Sequence, residues 1–564
     1  MVYRIADNII SPLGETTAQN YEAVKTGRTQ LRRYAQYAGI PEPFAASMLS
    51  EDQWQRLTIE GMTRFESLAF HSAQQAIKEA GIDPSAGNVV FVLSTTKGNI
   101  ELLELSPLDS SPGTAAQHIA SALGIKTMPI TVCNACISGV SAIILAMRLL
   151  ENHSYDYAIV CGADILTPFN ISGFQSLKAL SEEPCRPFDI ERLGLNLGEA
   201  AATMVLTSQG DYPWTIRAGA IRNDAFHISS PSKNGEGTRM ALETIGARQR
   251  LQEMAFVNAH GTATMFNDQM ESVAIERAGL SDLPVNALKG YFGHTLGAAG
   301  VLETILSMAS VDDHTILGTK GFEERGVSGK ILLSTENSPT DRQGFIKIIS
   351  GFGGCNAAIV AAKESLGQSL CNPSATSHTG GSPHDSVHAV KLTPSKAIVD
   401  GQEIGVEGEG MTMLTNLYKR YIGDYPKYYK MDALCRLGFV ASELLLKADS
   451  RNHGDRAIIL FNHSSSIQAD MEYLASIQDQ ENYFPSPSAF VYTLPNIVTG
   501  EIAIRNHYQG ETSFYILPQK DQYLMQQVIT ASFADPATQS MICGWLDYQD
   551  EQHFEAELEI RDNK

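Results

Sequence analysis

The 564-residue sequence contains no long apolar run. None approaches the roughly 18 residues that a membrane-spanning helix needs, so no such helix is expected. The opening "MVYRIADNIISPLG" lacks the basic-then-apolar order of a secretion signal, which makes the cytoplasm the expected location. Cations are also scarce: 42 Lys and Arg face 63 Asp and Glu, for a net charge of −21. Nucleic acid would be repelled overall, and that class of partner is excluded. Eight cysteines in a chain of this length do not make the dense disulfide framework of a small secreted fold. Apart from Cys133 and Cys136 they are scattered, at Cys161, Cys185, Cys355, Cys371, Cys435 and Cys543, and are expected to stay reduced.

What is present has a globular balance, with 43% hydrophobic and 19% charged residues, at a length that calls for several structural units. "VVFVLS" (89–94), "PITVCN" (129–134), "YAIVCGAD" (157–164), "AAATMVL" (200–206) and "FIKIIS" (345–350) read as strands. "FESLAFHSAQQAIKEAG" and "GTAAQHIASALG" read as helices stopped by Gly. The alternation predicts an α/β fold with covered sheets. Residues 365–388, rich in Ser, Pro, Gly, His and Thr, read as a linker. Taken as 364–403, that linker divides the chain into units 1–363 and 404–564. The order of signals from Arg64 to Asp164 recurs from about Lys430 to Asp547, so one α/β unit is expected twice.

Cys133-Asn-Ala-Cys136 admits three readings. A zinc site needs four ligands, and only His153 and Cys161 follow nearby. A thioredoxin-type redox pair belongs to a much smaller domain. The third reading is a single nucleophile. "PITV" is a strand and "ISGVSAIILAMRLL" a helix, so Cys136 falls near the helix start, where unpaired N–H groups favour a thiolate. Alone, the stretch would equally suit an inert core cysteine. However, "FVNAHGTATMFNDQMES" sets His260 straight after a strand, and "VNALKGYFGHTLGAAG" repeats that layout with Lys289 and His294. One cysteine at a helix start and two histidines at strand ends suit acyl transfer.

These segments, with "SPLG", "NACISG", "RPFDIERLGLNLGEAAA" and "GFGGCNAAIV", give residues 1–363 a resemblance to the β-ketoacyl-acyl-carrier-protein synthases, condensing enzymes of the thiolase superfamily. The resemblance implies two related βαβαβαββ halves in a five-layered α-β-α-β-α arrangement. It implies decarboxylative Claisen condensation, with Cys136 taking the acyl group and His260 and His294 serving the malonyl step. Lys289 and Glu303 become an ion pair that orients His294. Phe352 and Gly353 become gate and oxyanion elements, and Thr262 and Thr264 pantetheine contacts. Asp268 and Glu271 are expected to be structural. No metal, nucleotide or flavin is called for, because the substrates ride on the phosphopantetheine of an acyl carrier protein. Asn134, Ile137, Asn196 and Ser350 depart from the family pattern at positions that bear on substrate choice. A non-catalytic scaffold and a non-elongating acyltransferase are the rival readings.

In the second copy, "FYILPQKDQYLMQQ" replaces the cysteine segment, with the nucleophile position expected near Pro518. "FVYTLPNIVTGEIAIRNHYQGETSFY" resembles truncated chain-length-factor-like proteins of aryl polyene and flexirubin-type pathways. That implies a third, degenerate thiolase-like half, catalytically silent, pairing with a ketosynthase as a pseudo-dimer. Bulk around Phe514–Leu517 is expected to touch the acyl tunnel. An acidic carrier protein would need a local basic patch, with Lys25, Arg28, Arg32, Arg33 and Arg64 as candidates.

Overall fold

Strands that are apolar on both faces need cover on both sides. Here it comes as layers, in a computed structural model describing residues 1–364, 386–449, 453–479 and 483–563. Val2–Ile10, Ala200–Thr207, Tyr157–Asp164, Val89–Ser94 and Ile130–Val132 lie side by side in that order. A second sheet runs Trp214–Asn223, Cys355–Lys363, Gly344–Gly351, Met254–Asn258 and Pro284–Asn286. Helix Arg64–Ala80 covers the outer face of the first sheet, and helices Glu236–Thr244 and Met265–Arg277 that of the second. Helices Ser138–Glu151 and Ala299–Asp312 fill the space between the sheets. Five layers result.

Local sequence sets the ends of these elements. Thr63 and Glu66 form a reciprocal capping box at the start of Arg64–Ala80, and Gly81 closes it at φ 65°, as its Gly stop predicts.

The elements from helix Ala433–Ala448 to strand Ser540–Tyr548 follow those from Arg64–Ala80 to Tyr157–Asp164 in order. A shared bond marks the correspondence. Asp164 accepts the N–H of Thr96 at 3.0 Å, and Asp547 that of Ser464 at 2.9 Å, each two residues past the end of a strand. This unit's sheet runs Thr512–Ile516, Ala457–Asn462, Ser540–Tyr548, Phe554–Asp562, Ser386–Thr393 and Lys396–Val399. It joins the first sheet through Ile130–Val132 and Thr512–Ile516, antiparallel, with Val132 opposite Tyr515.

One expectation needs correction. The linker read as 364–403 is not a linker beyond residue 385: Ser386–Thr393, Lys396–Val399 and Gln402–Glu403 form an antiparallel meander within the sheet. Asp400 and Gly401, at φ 48° and 77°, make the two-residue turn that an Asp-Gly pair favours, a hairpin signal masked by the composition upstream. Residues 365–385 of that reading lie outside the described residues. Along Phe554–Asp562, buried Phe554, Ala556, Leu558 and Ile560 alternate with partly exposed Glu555, Glu557, Glu559 and Arg561. Lys391 and Lys520 pair with these glutamates, and the sheet ends on the two-residue strand Gln402–Glu403.

Candidate active site

Cys136 sits in a 3₁₀ turn, Ala135–Ile137, between the strand Ile130–Val132 and helix Ser138–Glu151. Ala135 has φ 49°, a left-handed conformation that a side chain disfavours and that the surrounding packing must hold. The second central helix begins the same way, with Leu296 at φ 52° ahead of Ala299–Asp312. A Cβ on Gly300 would lie 2.4 Å from the backbone nitrogen of Val140, and one on Gly139 2.8 Å from that of Val301. The two helices therefore touch backbone to backbone at their first turns, a contact only glycine allows. This crossing brings the cysteine turn against the segment that carries His294.

Cys136 Sγ and one ring nitrogen each of His260 and His294 lie within 4.8 Å of one another. The imidazoles meet edge to face, with centroids 5.0 Å apart at 83°. Burial, with the charge of Lys289 second, pushes both histidines well below their ordinary range, so both are neutral near pH 7. His294 Nδ1 accepts the N–H of Leu296 at 3.3 Å, which puts its proton on Nε2. That Nε2 is buried without a protein partner among the described residues, as is His260 Nδ1.

The thiolate expected from the helix start is not the resting form. Burial pushes the Cys136 thiol up to about 12, against the pull of Lys289. Cys133, expected on the strand, is the residue just after it and is fully buried.

Lys289 and Glu303 pair at 2.7 Å, but the cluster grips His260 rather than His294. Lys289 Nζ also donates to the His260 carbonyl at 2.6 Å. Lys347 binds the other oxygen of Glu303 and donates to the carbonyl of Ala259 at 3.3 Å. Burial raises the Glu303 carboxyl, yet the two lysines outweigh it and hold it below its usual range. His294 is instead fixed by backbone: its N–H donates to the carbonyl of Asn196 at 2.7 Å, and its carbonyl accepts from Gly198 at 3.0 Å. Lys347 is the site residue that sequence reasoning missed. A lone lysine inside "FIKIIS" was the available signal. Glu271 accepts the N–H groups of His260 and Gly261, and Asp268 those of Phe188 and Ala263, which makes both structural as expected. Thr262 and Thr264 bond hydroxyl to hydroxyl at 2.9 Å, two residues from His260.

Two domain families match this chain: beta-ketoacyl synthase N-terminal domain over residues 9–211 and C-terminal domain over 214–323, together more than half its length. The chain belongs to the β-ketoacyl synthase family. It is 26% identical over 406 residues to the 3-oxoacyl-[acyl-carrier-protein] synthase 2 of Vibrio cholerae, covering 62% of this chain and 96% of that one. A ketoacyl synthase alpha subunit of the tetracenomycin polyketide synthase of Streptomyces glaucescens is 26% identical over 63% of this chain and 95% of its own. Among solved structures, a ketosynthase in complex with its chain length factor from Xenorhabdus doucetiae superimposes with a TM-score of 0.56 at 24% identity, over 64% of this chain and 98% of that one. The keto synthase-chain length factor PfaC matches over 100% of this chain and 78% of its own, with a TM-score of 0.77 at 14% identity. The fold is thus the thiolase-like fold of ketosynthases, and the protein is a condensing enzyme.

In this β-ketoacyl synthase the pocket at Cys136 is built by both units. Thr96, Lys97, Phe174, Leu296 and Phe352 line it from one side, Phe490 and Leu494 from the other. Phe352 stacks on Phe174 at 6.3 Å and 23°, and its carbonyl accepts from Asn496 at 2.8 Å. The expected wall at Phe514–Leu517 is not there. Those residues belong to the pairing strand and the turn beyond it, packed against Ile130–Val132 and Gly113. The silent counterpart of Cys136 also moves. Ser94 pairs with Val132 and Asn462 with Ile516, and counting four residues on from each places Lys520, not Pro518, at the nucleophile position. Lys520 is engaged by Glu555 and Glu557.

Proposed function

We propose that this β-ketoacyl synthase elongates an acyl chain on Cys136 with malonyl-acyl carrier protein, and that its C-terminal unit sets how long the chain grows. The pocket shared by Cys136, Phe490 and Leu494 carries the reading. Cys136 Sγ attacks the thioester of an acyl carrier protein, its proton passes by way of a neutral imidazole to the departing pantetheine thiolate, and the acyl group stays on sulfur. The backbone N–H groups of Cys136 and Phe352 would receive the oxygen of that thioester; the N–H of Gly353, expected to share that task, is instead taken by the carbonyl of Ile228 at 2.7 Å. The malonyl group then loses carbon dioxide, and the electron pair of the broken bond becomes an enolate. Nε2–H of His294, with His260 beside it, donates to the enolate oxygen, a task a neutral imidazole can perform. The enolate carbon attacks the acyl thioester, Cys136 sulfur leaves and takes a proton, and the 3-oxoacyl product remains on the carrier. Phe352 opens and closes access between the cysteine and the malonyl side, and Thr262 and Thr264 guide the pantetheine arm.

All steps are carried by residues of this chain and by the phosphopantetheine-borne substrates, in fatty acid or type II polyketide synthesis. No helix among the described residues is long and apolar enough to cross a membrane. The ketosynthase solved in complex with its chain length factor, and the keto synthase-chain length factor PfaC, which matches this whole chain within a single one, support the division of labour. Mass spectrometry of the enzyme after acyl and then malonyl carrier protein tests the scheme. The acyl group should be found on Cys136, and His294→Ala should load normally while releasing no product. An enzyme that fails to load, or loads elsewhere, would overturn it.

A further inference from the structure

Buried charges between the two units form a pattern that the chemistry does not use. Arg148, on the helix after Cys136, donates to Glu511 at 2.7 Å and lies 3.7 Å from Asp535. Arg222, on the strand Trp214–Asn223, grips Asp535 with both terminal nitrogens, at 2.6 and 2.9 Å. Lys97, beside the acyl pocket, donates to Asp470 at 2.6 Å and to the carbonyl of Thr493. None of these six side chains is more than 7% exposed. Among the described residues, every ion pair that joins the units puts the cation on the catalytic unit and the carboxylate on the C-terminal one.

The internal repeat indicates what a second catalytic unit would offer instead. Counting outward from Val132 and Ile516, Thr127 stands where the C-terminal unit has Glu511, and Ser532 stands where the catalytic unit has Arg148. Only Glu151, at the place of Asp535, would keep its sign. Two catalytic units docked through Ile130–Val132 would thus each bury an Arg148 facing Thr127. A buried guanidinium stripped of its hydrogen-bonded carboxylate is strongly unfavourable.

We infer that this one-way set of buried ion pairs is a pairing code, which reserves the dimer face of each catalytic unit for a C-terminal unit and excludes a second catalytic unit. A buried charge left without its partner rejects the wrong protein more effectively than a matched pair strengthens the right one. The inference rests on pairing geometry alone, so its test reads mass and melting temperature, which the condensation scheme does not enter.

The experiment uses the full chain with Arg148→Glu, Glu511→Arg and the double exchange, by light scattering on a sizing column and thermal unfolding. Each single reversal should lower the melting temperature and replace the wild-type mass by multi-chain species, as faces no longer matched within the chain are exposed and associate between chains. The double exchange should recover the wild-type mass and most of the melting temperature. Glu511→Gln, which removes charge but keeps shape, should lie between. Single reversals with wild-type mass and melting would overturn the code, and so would a double exchange no better than the worse single.

Discussion

The side-chain oxygen of Asn134 accepts the backbone N–H of Phe514 at 2.7 Å, and Cys133 N–H donates to the carbonyl of the same Phe514 at 3.1 Å. The turn that carries Cys136 is therefore tied to the C-terminal unit on the two sides of one residue. Asn134→Ala strands a buried N–H, at a cost of about 1–3 kcal/mol. Thermal unfolding should register that loss, and turnover should fall more than substrate affinity because the turn, not the pocket, is loosened.

Cys136→Ala should abolish condensation, whereas Cys133→Ala should retain a measurable part of it. Cys133 directly follows its strand and is fully buried, and Cys136 alone of the pair opens toward the pocket. Equal loss in an elongation assay would contradict the assignment of a single nucleophile.

The thiol of Cys136, raised to about 12 by burial, sets the pH course of its alkylation. Because the neutral form dominates below that value, iodoacetamide labelling should speed up about tenfold for each pH unit between 7 and 9. A plateau near neutrality would mean a thiolate already formed at rest.

Glu303→Gln would leave Lys289 and Lys347 buried with one carboxylate fewer. Breaking such a cluster costs about 3–5 kcal/mol. The damage should reach the His260 step first, since the carbonyls gripped by these lysines belong to Ala259 and His260. Malonyl decarboxylation should therefore drop more than acylation of Cys136.

Phe490 and Leu494 wall the acyl pocket from the C-terminal unit. Phe490→Ala and Leu494→Ala should lengthen the product chains, read by mass spectrometry of carrier-bound acyl groups. Phe514→Ala should lower stability without that shift.

Much of this was legible because it is local. A strand, a turn and a helix start follow one another within a dozen residues at Cys136, and again at His294, so pattern alone located them. The closing strands at 386–403 were hidden by the composition just before them, although their Asp-Gly turn stood in plain view. Lys347 could be noticed as a lone charge in an apolar strand, but its partner Glu303 is met only through packing. Phe490 and Leu494 carry no pattern of their own. They become pocket walls because a second unit folds back over the first, and no spacing in the sequence encodes that approach. The silent position slipped from Lys520 to Pro518 for a similar reason: ladder register, not residue likeness, fixes the equivalence.

Because the strands Ile130–Val132 and Thr512–Ile516 belong to one polypeptide, their pairing is unimolecular. Its extent does not fall on dilution, and the contacts need not offset the translational freedom that two separate proteins lose on docking. Each ribosome that completes the chain delivers one catalytic unit with one C-terminal unit. Supply of the two can never drift apart.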